Sequence, residues 1–416
     1  MHNNSAMSSE VLTPNAAAAP VALSRGHRAL ILFALTVGGF AIGTSEFASM
    51  GLMPNLVRGL GVSEPQVGHL ISAYALGVVV GAPLLALLAG AWPRKTLLLS
   101  LMGFYALGNL ASALGPDYHS LLLFRFIAGL PHGAFFGVSA LTAAAISRPD
   151  ERGKAVSLIM LGLTIAMLVG NPLATWLGQA ISWRWAFATV SLLALTTVLL
   201  IARFLPANAV PVAKAGVRAE LRAFNRLPVW QALLIGAIGF SGLFCVFSYL
   251  APTLVYVTGV PESWIPFGLS AIGLGGVIGN IAGGWLYDRH GFRGVALVLG
   301  WAVVVLLLFP LLAHSPWTVL PGAVAVGMMG AMATVLQIRL MDVAGAAQTL
   351  AAASHHAAFN AANALGPWLG GLAIGAGFGW TSTGYVGAAT AAAGLLVYAW
   401  AARGDAREDD ACAQCA

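Results

Sequence analysis

The sequence predicts an all-α membrane protein with twelve transmembrane helices in two pseudo-symmetric six-helix bundles and with both termini in the cytoplasm. Hydrophobic residues make up 59% of its 416 residues and charged residues only 8%, whereas a soluble domain carries about 25% charged residues. Because one span needs about 20 apolar residues, or about 35 with its loop, this length accommodates about twelve spans. The 50 glycines are typical of closely packed spanning helices. A soluble globule is therefore excluded.

Twelve apolar runs separated by short polar gaps mark the predicted spans. The first six lie at 29–53, 66–90, 95–114, 120–146, 155–180 and 185–205. The second six lie at 230–256, 263–287, 294–313, 317–340, 348–376 and 380–402. The predicted domains are a cytoplasmic N-terminal segment 1–28, a bundle 29–205, a cytoplasmic linker 206–229, a bundle 230–402 and a cytoplasmic tail 403–416. No removable signal peptide is expected, since 1–28 has no apolar core.

The positive charges alternate between the gaps. Of the 20 Lys and Arg residues, 17 lie in gaps on one side, Arg58 and Arg184 lie on the other, and Arg125 lies inside a run. Cytoplasmic loops retain positive residues, so both termini face the cytoplasm and the number of spans is even. These cations form no patch that would bind nucleic acid. We expect the protein to be a monomer that is embedded in the lipid bilayer of the cell (inner) membrane.

Basic residues recur at a regular interval in the linker. Lys214, Arg218 and Arg222 recur every four residues, which favours a short amphipathic helix on the inner leaflet. A flexible linker is the alternative.

Two of the gaps repeat each other. Gly81-APLLALLAGAWPR-Lys95 aligns with Gly279-NIAGGWLYDRHGF-Arg293 at an offset of 198 residues without a gap. This repeat predicts two similar bundles, as in transporters built from parallel repeats.

Five segments carry a family resemblance. They are GTSEFASMGLMPNL at 43–56, LLLFRFIAGLPHGAFFG at 121–137, GLTIAMLVGNPLATWLG at 162–178, GGWLYDRHG at 283–291 and AAFNAANALGPWLGG at 357–371. With them the chain resembles the major facilitator superfamily, in its arabinose/sugar-efflux and drug:proton antiporter branch. The resemblance implies the major facilitator fold, secondary transport of a small molecule, and rocker-switch alternating access.

The loop at 283–291 suggests a conformational latch. Its resemblance to the signature loop of the superfamily implies that Asp288, Arg289 and Arg293 form a charged latch at the cytoplasmic side; the alternative is that they only mark topology. The first half has Gly90 in place of Asp288, so an acid-mediated latch is not expected there.

Two formal charges lie well inside predicted spans, and each costs about 2.5–3.5 kcal/mol at the centre of a span. Glu46 lies about 10 Å and Arg125 about 8 Å below the outer end of its span, at 1.5 Å per residue. The two groups therefore lie at nearly the same level and can interact, directly or through water.

This pair predicts proton coupling. A carboxyl group whose surroundings alternate between apolar, aqueous and cationic changes its proton occupancy, so Glu46 can bind a proton outside and release it inside. Each inward proton contributes about 2.3 kcal/mol per 100 mV of membrane potential. Arg125 cannot release a proton, so its predicted role is electrostatic. The alternative is that both residues merely tie two helices together.

Histidine and amide side chains are the remaining polar candidates. His132 shares a helix face with Arg125 and is assigned to proton coupling; substrate binding and a hydrogen bond between helices are the alternatives. His356, Asn360 and Asn363 share another face, whereas His355 points about 100° away. The predicted substrate-binding residues are Asn171, Gln337, His356, Asn360 and Asn363. The alternative is that these groups are interhelical hydrogen-bond partners.

Glycine spacing is interpreted as packing. Gly129, Gly133 and Gly137 repeat every four residues, as do Gly275, Gly279 and Gly283, and such faces allow close helix contact. Gly170-Asn171-Pro172 is expected to interrupt the helical ladder of the fifth span.

The function that these observations favour is a proton-coupled exporter of small amphiphilic or polar molecules such as drugs. A sugar or nucleoside efflux permease and an uncoupled facilitator are the alternatives. An enzyme is excluded because the sequence has no HExxH, no GxSxG and no loop long enough for a catalytic domain. An ATP-driven pump is disfavoured because there is no GxxxxGK[ST] loop. No metal or cofactor is expected, and the terminal Cys412 and Cys415 are assigned no role.

Overall fold

The computed structural model describes residues 23–89, 92–148, 151–207, 225–344 and 348–415, all of them helical or in short connections. Side chains are described over these ranges except at 86–89, 348–353 and 405–415. Gly90, the linker residues Lys214, Arg218 and Arg222, and the Cys412 and Cys415 side chains therefore lie outside the described part of the chain.

Each half of the described chain consists of long helices. In the first half they are α1 (Arg25–Gly51), α2 (Glu64–Ala89), α3 (Arg94–Leu114), α4 (Tyr118–Ile146), α5 (Arg152–Ala180) and α6 (Trp183–Phe204). In the second half they are α7 (Leu227–Ser248), α8 (Ile265–His290), α9 (Arg293–Leu312), α10 (Pro316–Ala344), α11 (Gln348–Gly375) and α12 (Ser382–Cys415). A short helix, Met53–Leu60, follows α1, and the turns Leu254–Thr258 and Glu262–Trp264 precede α8.

Eleven helices of the described chain are long and apolar enough to cross a membrane. The helix α11 is not among them, although it has 28 residues. It carries His355, His356, Asn360 and Asn363, and these polar side chains lower its mean hydropathy. The all-helical membrane fold is confirmed, whereas the twelfth span and the orientation of the termini stay predictions.

Hydrogen bonds between helix termini define two ends of the molecule. At one end, Arg28 pairs with Glu151 at 2.9 Å, and Lys95 Nζ donates to the Ala202 carbonyl at 2.7 Å. We call this the basic end. At the other, the opposite end, Arg184 donates to the Ala113 carbonyl at 3.0 Å. The starts of α1, α3 and α5 thus lie with the end of α6, as alternating helix directions require.

Among the described residues, the shared apolar core joins the halves at the opposite end. Near the basic end, first-half residues from Ile31 to Leu205 form a core of their own. Near the opposite end, Leu52, Leu56 and Phe187 belong to one core with the second half. The named polar contacts at the basic end each stay within one half, as Arg28–Glu151 does. The halves are therefore packed together at the opposite end.

The helix α5 contains the predicted interruption. A π-helical turn, Ala166–Gly170, precedes Asn171 and Pro172. Pro172 has no backbone N–H, so the Leu168 carbonyl lacks its usual α-helical donor. The Ser270 hydroxyl of α8 donates to this carbonyl at 3.2 Å, which links the interruption to the second half.

Close glycine contacts hold α2 against α4. A Cβ atom added at Gly77 would overlap the Phe126 carbonyl, and one added at Gly129 would overlap the Tyr74 carbonyl. The face of Gly129 and Gly133 is thus a packing surface, as predicted, but Gly137 has open space around it and takes no part.

Candidate transport site

Glu46 lies where the two halves meet. Its side chain is 5% exposed, and its Oε1 accepts a hydrogen bond of 3.1 Å from Asn363 Nδ2 of α11. The next residue of α1, Phe47, packs its ring against Phe247 of α7, with centroids 5.5 Å apart. The carboxyl group therefore faces the second half and not lipid, and its hydrogen bond crosses between the halves.

Arg125 is fully buried and is bound to the residue next to Glu46. Its Nη1 donates to Ser45 Oγ and its Nη2 to the Ser45 carbonyl, both at 3.0 Å. The guanidinium also lies over the Tyr74 ring, 4.2 Å from the centroid. None of the ion pairs formed by the described residues joins Arg125 to Glu46. The predicted interaction of the two charges is therefore indirect in this conformation and passes through Ser45 and the α1 backbone.

Neutral polar side chains complete a buried network around Arg125. Ser45 Oγ donates to Asn109 Oδ1 at 2.5 Å, and Asn109 Nδ2 donates to the Tyr105 carbonyl at 2.9 Å. The hydroxyl oxygens of Tyr74 and Tyr105 are 3.1 Å apart. His132 Nδ1 is also 3.1 Å from the Tyr74 hydroxyl. We call these five residues, together with Arg125, the first-half network. It connects two predicted residues, Arg125 and His132, through Tyr74.

His132 also meets the second half. The His356 ring of α11 is 6.4 Å from that of His132 and is stacked on Phe136 at 5.2 Å, with an interplanar angle of 11°. Asn360 Nδ2 donates to the His356 carbonyl at 3.1 Å. The structure therefore brings α4 and α11 together through aromatic and imidazole rings.

Several buried amide groups have unused hydrogen-bonding capacity. Asn171 is fully buried, and neither its Oδ1 nor its Nδ2 has a partner among the described residues. The Oδ1 atoms of Asn360 and Asn363 and the Nδ1 of His355 are likewise unpartnered. Buried polar groups are normally satisfied, so these atoms are available to water or to a polar ligand.

Other predicted residues stand apart from this centre. Gln337 is half-buried on α10 and makes no described hydrogen bond with the residues above. Asp288, Arg289 and Arg293 are exposed at the basic end, and Arg289 lies over the Trp285 ring at 5.8 Å. None of the ion pairs of the described chain includes these three residues, and the latch stays a prediction.

An ion pair at the opposite end was not predicted. Arg58 makes two hydrogen bonds to the Glu262 carboxylate, one of them 2.9 Å long from Nη2 to Oε2. Gln179 Nε2 also donates to the Glu262 carbonyl at 2.9 Å. The hydrogen bond to Glu262 raises the pKa of Arg58 above its ordinary value. Both contacts join the first half to the second. The sequence signal was Arg58 itself, one of two cations on the sparsely charged side.

Ser45, Tyr74, Tyr105 and Asn109 were also missed. Each is a neutral residue inside an apolar run, so charge patterning could not single it out. The available signal was that Ser45 precedes Glu46 directly and that Asn109 is an amide within a span.

A multi-pass helical membrane protein that buries a carboxyl group and imidazoles where its halves meet, with a buried guanidinium nearby, has the features of a transporter. The model of the Major Facilitator Superfamily matches residues 35–298 and 267–411. The chain belongs to this superfamily of transporters, and the predicted resemblance is confirmed.

Relatives match most of the chain. The inner membrane transport protein YdhP of Escherichia coli O157:H7 is 38% identical over 379 residues, covering 89% of this chain and 96% of YdhP. The putative transporter AraJ of Escherichia coli (strain K12) is 32% identical, covering 83% and 88%. A chloramphenicol resistance protein of Streptomyces lividans is also 32% identical, covering 83% and 89%.

A solved structure has the same fold. The crystal structure of a bacterial homologue of the human lysosomal transporter Spinster, in an inward-facing and unoccupied conformation, superimposes with a TM-score of 0.70. The match covers 92% of this chain and 96% of the other at 17% identity.

Proposed function

We propose that this transporter is a proton-coupled antiporter that exports small amphiphilic or polar molecules by rocker-switch alternating access. The observation that carries the proposal is the hydrogen bond between Glu46 of the first half and Asn363 of the second. A carboxyl group held across the contact between the halves loses this partner when the halves separate there. Its surroundings, and hence its proton occupancy, then depend on the conformation.

The coupling follows from that dependence. When the halves part at the opposite end, Glu46 meets external water and binds a proton. When they close again, the proton is released toward the basic end and substrate takes the reverse route. Each proton that enters supplies about 2.3 kcal/mol per 100 mV of membrane potential, which drives the uphill export step.

The proposed topology places twelve spans in two bundles, 29–205 and 230–402, in the inner membrane, with α11 as the span that apolarity alone does not identify. The basic end is cytoplasmic, since positive residues stay inside, and both termini lie there. In the conformation that closes the basic end, Asp288, Arg289 and Arg293 form the latch.

The substrate-binding groups proposed are Asn171, Gln337, His356, Asn360 and Asn363. The unpartnered amide atoms of Asn171, Asn360 and Asn363 favour a substrate with hydrogen-bonding groups. The name of the Streptomyces relative supports a drug such as chloramphenicol. The same amide groups favour a sugar as the second candidate, because hydroxyl groups both donate to and accept from amides.

The test uses proteoliposomes that are acidic inside and basic outside. An antiporter accumulates its substrate in the acidic lumen, so we expect uptake of radiolabelled chloramphenicol or arabinose above equilibrium and its collapse on addition of a protonophore. Equilibration that ignores the protonophore would indicate an uncoupled facilitator.

Two variants locate the proton site. Glu46→Gln keeps the volume and the hydrogen bond to Asn363 but cannot bind a proton, so accumulation is expected to fall to equilibrium. Glu151→Gln removes a carboxyl group that pairs with Arg28 inside one half and is expected to accumulate substrate like the unmodified protein. Intact proton-driven accumulation in Glu46→Gln would show that Glu46 is not the carrier.

A further inference from the structure

The first-half network contains a chain of hydrogen bonds whose direction is determined by its last member. The Tyr105 hydroxyl is 3.2 Å from the Ile42 carbonyl oxygen of α1. A carbonyl can only accept, and a hydroxyl has a single proton, so Tyr105 donates to Ile42. Tyr105 then has no proton left for Tyr74, and in the contact between the two hydroxyls Tyr74 must be the donor.

The same reasoning fixes the protonated nitrogen of His132. The only hydroxyl proton of Tyr74 points to Tyr105, so the 3.1 Å contact between Tyr74 and His132 Nδ1 requires a proton on Nδ1. A neutral imidazole has one N–H and one acceptor nitrogen, and the acceptor is therefore Nε2. Tyr74 and Tyr105 are fully buried and His132 is 1% exposed, so bulk water does not compete for these groups.

We infer that Tyr74 and Tyr105 are positioning residues that hold His132 in the Nδ1–H tautomer and so make Nε2 the atom at which His132 binds a proton. In this step the Nε2 lone pair takes a proton from hydronium, which leaves as water, or from an ammonium group of the substrate, which leaves as the neutral amine, and the ring becomes an imidazolium. The Nδ1–H bond to Tyr74 is kept, so no hydrogen bond of the chain breaks. The role in coupling rests on the proposed function, whereas the tautomer does not.

The surroundings of His132 agree with this assignment. The titratable and charged groups that face it or its partners are Tyr74 of α2, Tyr105 of α3, His356 of α11, Arg125 of α4 and Glu46 of α1. The two ring nitrogens point in nearly opposite directions, so Nε2 faces away from Tyr74. His356, on the other half, is half-buried and lies 6.4 Å away.

The test is ¹⁵N nuclear magnetic resonance of the full chain, labelled at its nine histidines and reconstituted in nanodiscs. The His132 signals are assigned by their loss in His132→Gln. We expect Nδ1 to carry the proton at high pH, and we expect acidification to move the Nε2 resonance while Nδ1 stays nearly constant. A proton on Nε2 at high pH would overturn the inference without any variant of the two tyrosines.

Tyr105→Phe tests the positioning role. Without the Tyr105 hydroxyl, Tyr74 is free to donate to Nδ1, and the Nε2–H tautomer is expected to rise about fivefold, the effect of losing one hydrogen bond. Tyr385→Phe removes the same hydroxyl from an exposed position and is expected to change neither the spectrum nor transport. An unchanged tautomer ratio in folded Tyr105→Phe would overturn the positioning role.

The coupling role is tested separately in the proteoliposomes. In Tyr105→Phe the pH profile of chloramphenicol or arabinose accumulation is expected to shift relative to the unmodified protein and to Tyr385→Phe. An unchanged profile, beside an altered tautomer ratio, would overturn the coupling role. If the unmodified protein accumulates neither probe, the proposed function fails, and the tautomer measurement still decides the structural part.

Discussion

The two halves of the molecule share their helix contacts but not their polar interior. In the first half Gly77 lies against the Phe126 carbonyl, Gly81 against the Leu130 carbonyl, and Gly129 against the Tyr74 carbonyl. In the second half Gly275, Gly279 and Gly327 lie against the Val324, Met328 and Ile272 carbonyls. Every residue of the second set follows its counterpart by 198 residues, the offset of the sequence repeat.

The polar groups do not follow this offset. Arg125, Tyr74 and His132 correspond to Ala323, Ile272 and Gly330 in the second half. The glycine contacts therefore belong to the architecture that both halves need, whereas the first-half network is present in one half alone. The second half instead contributes α11, whose amide groups are partly unpartnered. The hydrogen-bonded network around Arg125 in the first half thus faces the unpartnered amide atoms of α11 in the second half.

The largest effect on stability is expected from Arg125→Met, which removes the guanidinium group from the first-half network. Two hydrogen bonds from a charged donor to Ser45 are lost, at a cost of about 3 kcal/mol in the free energy of unfolding. The measurement is thermal or SDS-induced unfolding of the purified protein.

Arg184→Met is the matched control for this prediction. Arg184 also makes two hydrogen bonds, to the Ala113 and Gly115 carbonyls, but it is half-buried at the opposite end. Water replaces its lost bonds, so the cost is expected to be smaller. An equal loss of unfolding free energy in both variants would mean that burial does not increase the contribution of the network to stability.

The glycine contacts provide the second prediction. Gly129→Ala and Gly327→Ala each force a methyl group against a backbone carbonyl of the neighbouring helix, and each is expected to cost about 2 kcal/mol in unfolding free energy. Their near-equality tests the equivalence of the halves. Gly137→Ala adds a methyl group in open space and is expected to be neutral or to stabilise by up to about 1 kcal/mol through helix propensity. A clear difference between the first two variants would contradict the shared architecture.

The position of a residue along its helix could be predicted from the sequence, but its direction could not. The apolar runs predict α4 at 120–146, and the structure has it at Tyr118–Ile146, so the distance of Arg125 from the start of its helix was predicted to within two residues. The guanidinium nevertheless binds Ser45, which lies about 100° around α1 from Glu46. An error of one residue in the predicted position of a span changes the depth of each side chain very little. It changes the direction in which each side chain points by about 100° around the helix axis.

The partner of Glu46 could not be predicted for a different reason. Asn363 was assigned to substrate binding because it shares a face with His356, and that assignment stays a prediction. Its bond to Glu46 depends on how the halves are packed together, and a pattern inside one helix carries no information on the packing of another 317 residues away. The same limit applies to Arg58 and Glu262.

The smallest effect is expected at the opposite end, from Glu262→Gln. The Arg58–Glu262 pair is partly exposed, with 57% and 34% of the two side chains accessible, so its loss should change the closing equilibrium by no more than about 1 kcal/mol, or about fivefold in populations. Because the pair joins the halves, the change should favour separation there. Double electron–electron resonance between spin labels on Ser63→Cys and Phe267→Cys, in a background without native cysteines, measures that separation.

Glu151→Gln distinguishes the two ends. It breaks an ion pair of the same kind, but one that lies within the first half at the basic end, so the label distances should stay as they are. Higher salt should reduce the difference between Glu262→Gln and the unmodified protein, since exposed charges are screened. If both variants widen the opposite end equally, the ion pair does not hold the halves together, and the shared apolar core around Leu52 and Leu56 must close that end by itself.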